Sequence, residues 1–332
     1  MHEPLATRPF LWLILAHLLQ AIGWTSLLLL PVYLEHLGGS RQVIGEVMAF
    51  GAAGGLIAQP ITGFALEHFG RRPTLIAGTV VLVLGLAGFG LVTEIGVWLY
   101  ACRFVFGLGG GALFSGYFTF ATDIVPLSRR TEGLALFGIA GLAPMLLNPF
   151  VGSMVTNPAE LQGLFPAVAC VAALSVLCLI AIPEPVRLAP PERNGLLGAL
   201  RRLMSPALLP PYVAGLTFAI LAGVFMAFST VVAKEIGTAN PAMVWLTYGI
   251  GAIAVRILGG KLPDRIGTYN MLAPSLALYA GGILVLMNAQ TGGGILLAGG
   301  LAGVGHGYGF PVLTSQLMSR VNRDLRGPAM AL

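Results

Sequence analysis

Arg103 lies deep inside an apolar run, about 8 residues and hence about 12 Å from the outer end of that run. A guanidinium so deep in hydrocarbon costs about 2.5–3.5 kcal/mol on insertion scales, so it must face a cavity or a partner. There it could relay protons or hold a substrate anion; the alternative is a clamp onto the backbone carbonyls of a neighbouring helix. Glu46 opens another run and could carry a coupled proton, or simply cap the positive end of its own helix. His306, in Gly303-Val304-Gly305-His306-Gly307, is the third proton-coupling candidate, as gate or carrier, against a plainly packed histidine. His17, Gln20 and Trp24 recur at i, i+3 and i+7 with Gly23 beside them, so they share one helical face. That face lines a wet cavity or packs on a neighbour. Tyr117 shares the helical face of Arg103 at i+14 and joins the substrate-cavity candidates. Arg256 stands one to two turns from the Asp264 end of its run, where it can snorkel toward the cytoplasm. The glycine pairs Gly107/Gly111 and Gly303/Gly307 read as close-packing positions.

Other chemistries lack their residues. Cys102, Cys170 and Cys178 have neither CxxC spacing nor a nearby histidine cluster, so they read as buried apolar residues and not as metal ligands or disulfides. There is no GxxxxGK[ST] loop to cradle ATP, and no cofactor is implied. A membrane enzyme would need His, Asp or Ser clustered on one rim, and no such cluster is present.

What must position these side chains is a bundle of membrane helices. The 332 residues are 56% hydrophobic and 9% charged, with a mean hydropathy of +0.87. An ordinary soluble domain is about 45–50% apolar and about 25% charged. Eighteen basic and 13 acidic side chains cannot cover 34.6 kDa of protein in water, which excludes a soluble enzyme, a nucleic-acid binder and a disordered chain. A hydrocarbon core of about 30 Å needs about 20 helical residues. Runs at 9–35, 43–67, 73–93, 95–122, 131–156, 161–182, 208–236, 241–262, 270–289 and 292–318 meet that length. They lack strand alternation, so all ten are expected to be helices. The first is too long for a signal-peptide core. Fourteen of the 18 basic residues fall in one set of alternate loops and only Arg41 and Lys234 in the other, with Arg103 and Arg256 inside spans. The positive-inside bias puts the N-terminus in the cytoplasm, and the expected location is a bacterial cytoplasmic (inner) membrane.

The chain repeats itself. Gly63-Phe-Ala-Leu-Glu67-His-Phe-Gly70 recurs as Gly260-Lys-Leu-Pro-Asp264-Arg-Ile-Gly267, an offset of 197. Leu34–Gly38 recurs as Ala233–Gly237 at 199, and Arg130–Gly133 more weakly as Asp324–Gly327 at 194. Three near-equal offsets imply two parallel halves: a six-helix bundle at 1–182, a Pro- and Arg-containing cytoplasmic linker at 183–206, and a second bundle at 207–332. The second bundle holds four spans and the start of a fifth, so ten helices of an expected twelve are present and the chain is expected to be C-terminally incomplete.

The loop Gly63-x-x-x-Glu67-x-x-Gly70-Arg71-Arg72 resembles the signature loop of the major facilitator superfamily of secondary transporters, with Glu for the usual Asp. A degenerate copy, Gly260-x-x-x-Asp264-Arg265-x-Gly267, stands in the equivalent loop of the second half. Arg103-x-x-x-Gly107 is similar to the family's membrane-embedded arginine motif. Leu147-Asn148-Pro149-Phe-Val-Gly152 is similar to the Gly-Pro motif of its antiporters, with Asn148 in place of glycine; Asn148 is a further cavity candidate. The resemblance implies an all-α, two-bundle fold that rocks about a midplane cavity. It also implies that Gly63, Glu67, Gly70, Arg71, Arg72, Gly260, Asp264, Arg265 and Gly267 form a cytoplasmic gating network, with Asp123 placed to partner Arg71 or Arg72. The alternative is that these charges are ordinary interfacial anchors. The expected activity is proton-coupled efflux of a small molecule by a monomer in the bilayer. Uptake by proton symport, of a sugar or small metabolite, and a non-transporting sensor or scaffold on the same fold are the alternatives.

Overall fold

The computed structural model describes residues 4–126, 130–154, 157–184, 204–260 and 262–321. The linker from 185 to 203, the repeat copy at Asp324–Gly327 and the side chain of Asp264 lie outside the described residues. Among those described there are helices and no strands. Ten segments correspond to the ten expected spans: α1 (Arg8–His36), α2 (Arg41–His68), α3 (Arg71–Leu91), α4 (Val97–Ile124), α5 (Arg130–Met154), α6 (Leu161–Ile180), α7 (Pro206–Glu235), α8 (Met243–Leu258), α9 (Thr268–Met287) and α10 (Gly292–Arg320). Eight are long and apolar enough to cross a membrane. The other two, α5 and α8, carry shorter apolar segments at Leu136–Val151 and Met243–Leu258.

Local chemistry explains the ends and breaks. Thr7, Ser40 and Thr291 each accept a hydrogen bond from a backbone N–H three residues on, capping α1, α2 and α10. Pro144 and Pro149 remove donors from α5, which passes through a 3-10 segment at Ala143–Leu147 before resuming at Asn148. Four glycines have left-handed backbone: Gly38 and Gly237 after α1 and α7, Gly70 and Gly267 ahead of α3 and α9. Those are the repeat's matched positions, so the two halves turn alike at both loops.

Glycine also sets how closely the helices pack. A Cβ on Gly107 or Gly111 of α4 would strike the backbone of Gly51 or Gly55 of α2. In the second half a Cβ on Gly303 or Gly307 of α10 would strike the backbone of Tyr248 or Ala252 of α8. The offsets are 196 and 197, so α2·α4 and α8·α10 are one interface built twice. Away from these seams, Leu209, Val213, Leu216, Ile220 and Val224 leave an exposed apolar stripe on α7, as a lipid-facing helix requires. Cys102 and Cys178 are buried, but Cys170 is exposed, which corrects the expectation that all three are interior.

The halves touch at three levels. At the α1–α2 end, Lys234 Nζ lies 3.0 Å from Glu35 Oε2, and Arg41 pairs with Glu235. Just below, Thr230 donates to the carbonyl of Leu28 at 3.3 Å. Through the middle α5 lies along α8, with Leu146 against Gly249 and Arg256 against Gly138. Toward the signature-loop end, Phe310 of α10 meets Phe114 and Phe118 of α4, with ring centroids 5.3 and 5.6 Å apart.

Candidate functional site

At the signature-loop face Arg71 is the centre. Its Nε donates to Asp123 Oδ2 at 2.8 Å, and its Nη1 donates to the Leu66 carbonyl at 2.7 Å and to Glu67 Oε1 at 3.1 Å. One guanidinium thus binds the end of α2 to the end of α4. Gly63 lies in the last turns of α2, and Gly70, with φ +103°, provides the sharp entry into α3. Glu184, which the sequence reading did not single out, accepts from the backbone N–H of Arg71 and, at 2.9 Å, of Arg72. A carboxylate at the first turn of α3 meets the positive end of that helix. Its signal was local, an acid between two prolines where α6 ends. Arg72 reaches the Ile182 carbonyl at 3.4 Å.

The second copy of this loop is built differently. Gly267 repeats the left-handed turn with φ +89°, Gly260 packs on the Arg256 carbonyl, and Arg265 is exposed. Gln316 Nε2, donating to the Thr268 carbonyl at 2.9 Å, ties α10 to the start of α9.

Inside the bundle the expected candidates divide into separate groups. His17 stacks on Phe137 at 4.5 Å and lies 5.0 Å from the ring of Tyr117. His17 Nδ1, Tyr117 Oη and Ser175 Oγ are buried with no hydrogen-bond partner, and Gln20 is buried on the same helix as His17. Trp24 is half-buried with its ring beside Gly110. Tyr117 is therefore with His17 and not with Arg103. Asn148 spends its amide on the Thr25 carbonyl at 3.3 Å, and the neighbouring Pro149 carbonyl accepts from Asn240 at 2.7 Å.

Arg103 packs in the seam between α2 and α4. Its guanidinium fills the space a Cβ on Gly51 would need, its Nη2 lies 3.6 Å from Met48 Sδ, and it sits over Phe106. Glu46 is exposed one turn above, accepting from Gln42 at 2.8 Å and from the Tyr100 hydroxyl at 3.2 Å.

His306 belongs to a chain of polar groups inside the second half. Its Nδ1 is 2.7 Å from Tyr248 Oη, which is 2.9 Å from Tyr279 Oη. Neither tyrosine stood out in the sequence, since a tyrosine in an apolar run reads like any core aromatic. Arg256 does not snorkel outward as expected: it turns inward against Gly138 of α5, and its Nε is buried without a partner. Among the described residues it has no carboxylate partner and no hydrogen bond.

The family model for the Major Facilitator Superfamily matches residues 13–332. Multidrug resistance protein 1 of Bacillus subtilis (strain 168) is 24% identical over 296 residues, covering 86% of this chain and 75% of that protein. A probable nitrate/nitrite transporter of Mycobacterium tuberculosis (strain ATCC 25618 / H37Rv) is 28% identical over 243 residues, 71% of this chain and 60% of that one. Among solved structures, that of a D-xylose-proton symporter superposes with a TM-score of 0.70 at 17% identity, covering 98% of this chain and 85% of that one. Helices and no strands among the described residues, a doubled seam, a signature loop tied by Arg71 and a match along nearly the whole chain lead to one assignment: the chain belongs to the Major Facilitator Superfamily of membrane transporters and is not an enzyme.

Proposed function

We propose that the protein is a secondary active transporter that exports a small molecule across a bacterial cytoplasmic membrane in exchange for protons. The N-terminus is cytoplasmic and the working unit is a monomer. The observation that carries this reading is the way the halves meet. Charged pairs join them at one face, aromatic rings join them toward the other, and polar side chains lie between in apolar surroundings. Such a molecule has two closures that can open in turn, as alternating access requires. Export is favoured by the antiporter-like segment at Asn148-Pro149 and by the sequence relative named for multidrug resistance. The Arg71 network, which joins two helix ends of the first half, is the latch on the cytoplasmic closure.

The test is proton movement in everted membrane vesicles energised by respiration. Addition of a transported compound should dissipate the acid-inside gradient, and Arg103→Ala should abolish that response with the protein still inserted. Uptake by symport is the second reading, favoured by Asn148 where the antiporter motif has glycine. It reverses the direction in which substrate moves with the proton in the same vesicles. Absence of any proton response across a broad panel of neutral, cationic and anionic compounds would sink both.

A further inference from the structure

Helix α1 is broken short of the end that leads into α2. Its α-helical part stops at Ser26, a 3-10 turn follows at Leu27–Leu29, and the α-helix resumes at Leu30. The Thr25 and Ser26 hydroxyls donate back to the carbonyls of Ile22 and Gly23 at 3.3 and 2.7 Å, a pattern that bends helices. A 3-10 turn bonds each carbonyl to the N–H three residues on, so the Leu28 carbonyl requires a donor at Pro31, which has none. The donor comes from the other half. Thr230 Oγ1 reaches the Leu28 carbonyl at 3.3 Å and itself accepts from Trp245 Nε1 at 3.0 Å, and all three residues are buried.

Pro31 and Thr230 stand 199 residues apart, the offset that relates Leu34–Gly38 to Ala233–Gly237. The residue that frees the carbonyl and the residue that takes it are therefore one position of the repeat, used in opposite ways. Glu35 and Lys234, paired just beyond them, are matched at the same offset. Helix α7 runs unbroken through its copy of the site, from Leu209 to Glu235.

The other broken helix of the first half behaves alike. Beside the 3-10 segment of α5, Asn148 donates to the Thr25 carbonyl at 3.3 Å, and Asn240 of the second half donates to the Pro149 carbonyl at 2.7 Å. From Trp245 through both breaks to Asn240, these bonds make a belt that starts and ends in the second half. None of its groups is charged. The ion pairs beyond it differ, since Arg41, Lys234 and Glu235 are exposed, and such pairs are weak and screened by salt. A buried carbonyl deprived of its donor costs more, because no water replaces the lost bond.

We infer that this face, the outer one in the proposed orientation, is held shut by the uncharged belt centred on Thr230 and the Leu28 carbonyl, and not by the ion pairs beyond it. The inference rests on the transporter reading, in which this face must open, and it names what opposes opening. As the halves part, the Leu28 carbonyl exchanges Thr230 for water.

The test is the distance between spin labels on Thr93→Cys and Gln290→Cys, exposed loop positions in opposite halves at this face. The full chain is reconstituted in lipid nanodiscs, with Cys102, Cys170 and Cys178 replaced by alanine and folding of each variant checked by melting. Double electron–electron resonance reads the ratio of open to closed molecules. Thr230→Val, which keeps the shape and removes the hydroxyl, should raise that ratio by about 5-fold or more, the scale of one hydrogen bond. Adding Asn240→Ala cuts the belt at both ends and should raise it by about 25-fold. Thr230→Ser keeps the hydroxyl and should match the parent. Pro31→Ala, which leaves the second half intact but offers its own N–H to the Leu28 carbonyl, should move the ratio the same way as Thr230→Val. Arg41→Ala with Lys234→Ala removes both ion pairs and should move it less. An unmoved ratio in the folded double belt variant, an equal shift in Thr230→Ser, or a larger shift on removing the charges would each overturn the belt. The two readings fail separately. Proton movement for a transported compound, with the ratio unmoved in every belt variant, removes the belt alone. Opening on loss of Thr230, with no proton movement for any compound, removes coupled transport alone.

Discussion

Gln59 and Arg256 occupy the same place in two copies of one interface, and they have opposite fates. Gln59 finds Ser115 in its own half and becomes part of the seam. Arg256 has Pro311 at the matching position of α10, makes no hydrogen bond among the described residues and lies against Gly138 of α5. The repeat supplies the same glycine-packed frame twice. The copies differ at this turn, at Gly51 against Tyr248, and at the signature loop. Arg103 sharpens the contrast, being intramembrane as well but enclosed by Gly51, Met48 and Phe106 within one half. Both keep a buried Nε without a hydrogen-bond partner, one between α2 and α4 and the other between α8 and α5.

The largest effect that could break this division is on coupling. Arg103→Ala should reduce proton-linked flux by about 100-fold or more with the protein still inserted; unchanged flux would remove its proposed role. Next, Arg256→Gln with Pro311→Ser transplants the first-half pair into the second. Replacing a partly buried cation whose Nε has no partner by a hydrogen-bonded neutral pair should stabilise the purified protein by about 1 kcal/mol. A destabilised double variant, read by thermal melting, would mean that Arg256 already has its structural partner.

A smaller effect is expected at the signature loop. Asp123→Ala takes from Arg71 its shortest carboxylate contact, which costs about 1 kcal/mol at such a half-exposed pair, and should lower flux several-fold through the balance of the two closed states. Glu67→Arg should also impair flux and be partly rescued by Arg71→Glu. The smallest is at the opposite face, where Arg41→Ala removes a solvent-exposed pair. It should change stability by less than about 0.5 kcal/mol and act, if anything, on the salt dependence of transport rates.

The fold was legible because its determinants are local. Hydropathy marks each span, the alternation of basic loops separates the two faces, and Gly38, Gly70, Gly237 and Gly267 mark turns that only glycine makes easily. The charged loop was legible for the same reason, since Glu67, Arg71 and Arg72 are neighbours in sequence. What was not legible depends on side chains from distant helices. Arg256 is near the end of α8, and nothing near it in sequence says that Gly138 leaves room to turn inward. Tyr117 shares a helical face with Arg103 on paper, but α1 and α5 bring His17 and Phe137 to one and α2 brings Gly51 to the other. Tyr248 and Tyr279 become polar groups only because His306 meets them across the bundle. Glu184 acts at the start of a helix more than a hundred residues away.

The central claim is that the two halves must separate where charges join them. The direct measurement is flux through a reversibly tied closure: Glu35→Cys with Lys234→Cys, on a background with Cys102, Cys170 and Cys178 replaced by alanine. A short bis-methanethiosulfonate reagent is bridged across the pair and later removed by dithiothreitol. The account predicts that flux stops when the bridge is complete and returns on reduction. Undiminished flux through a fully bridged protein would contradict it.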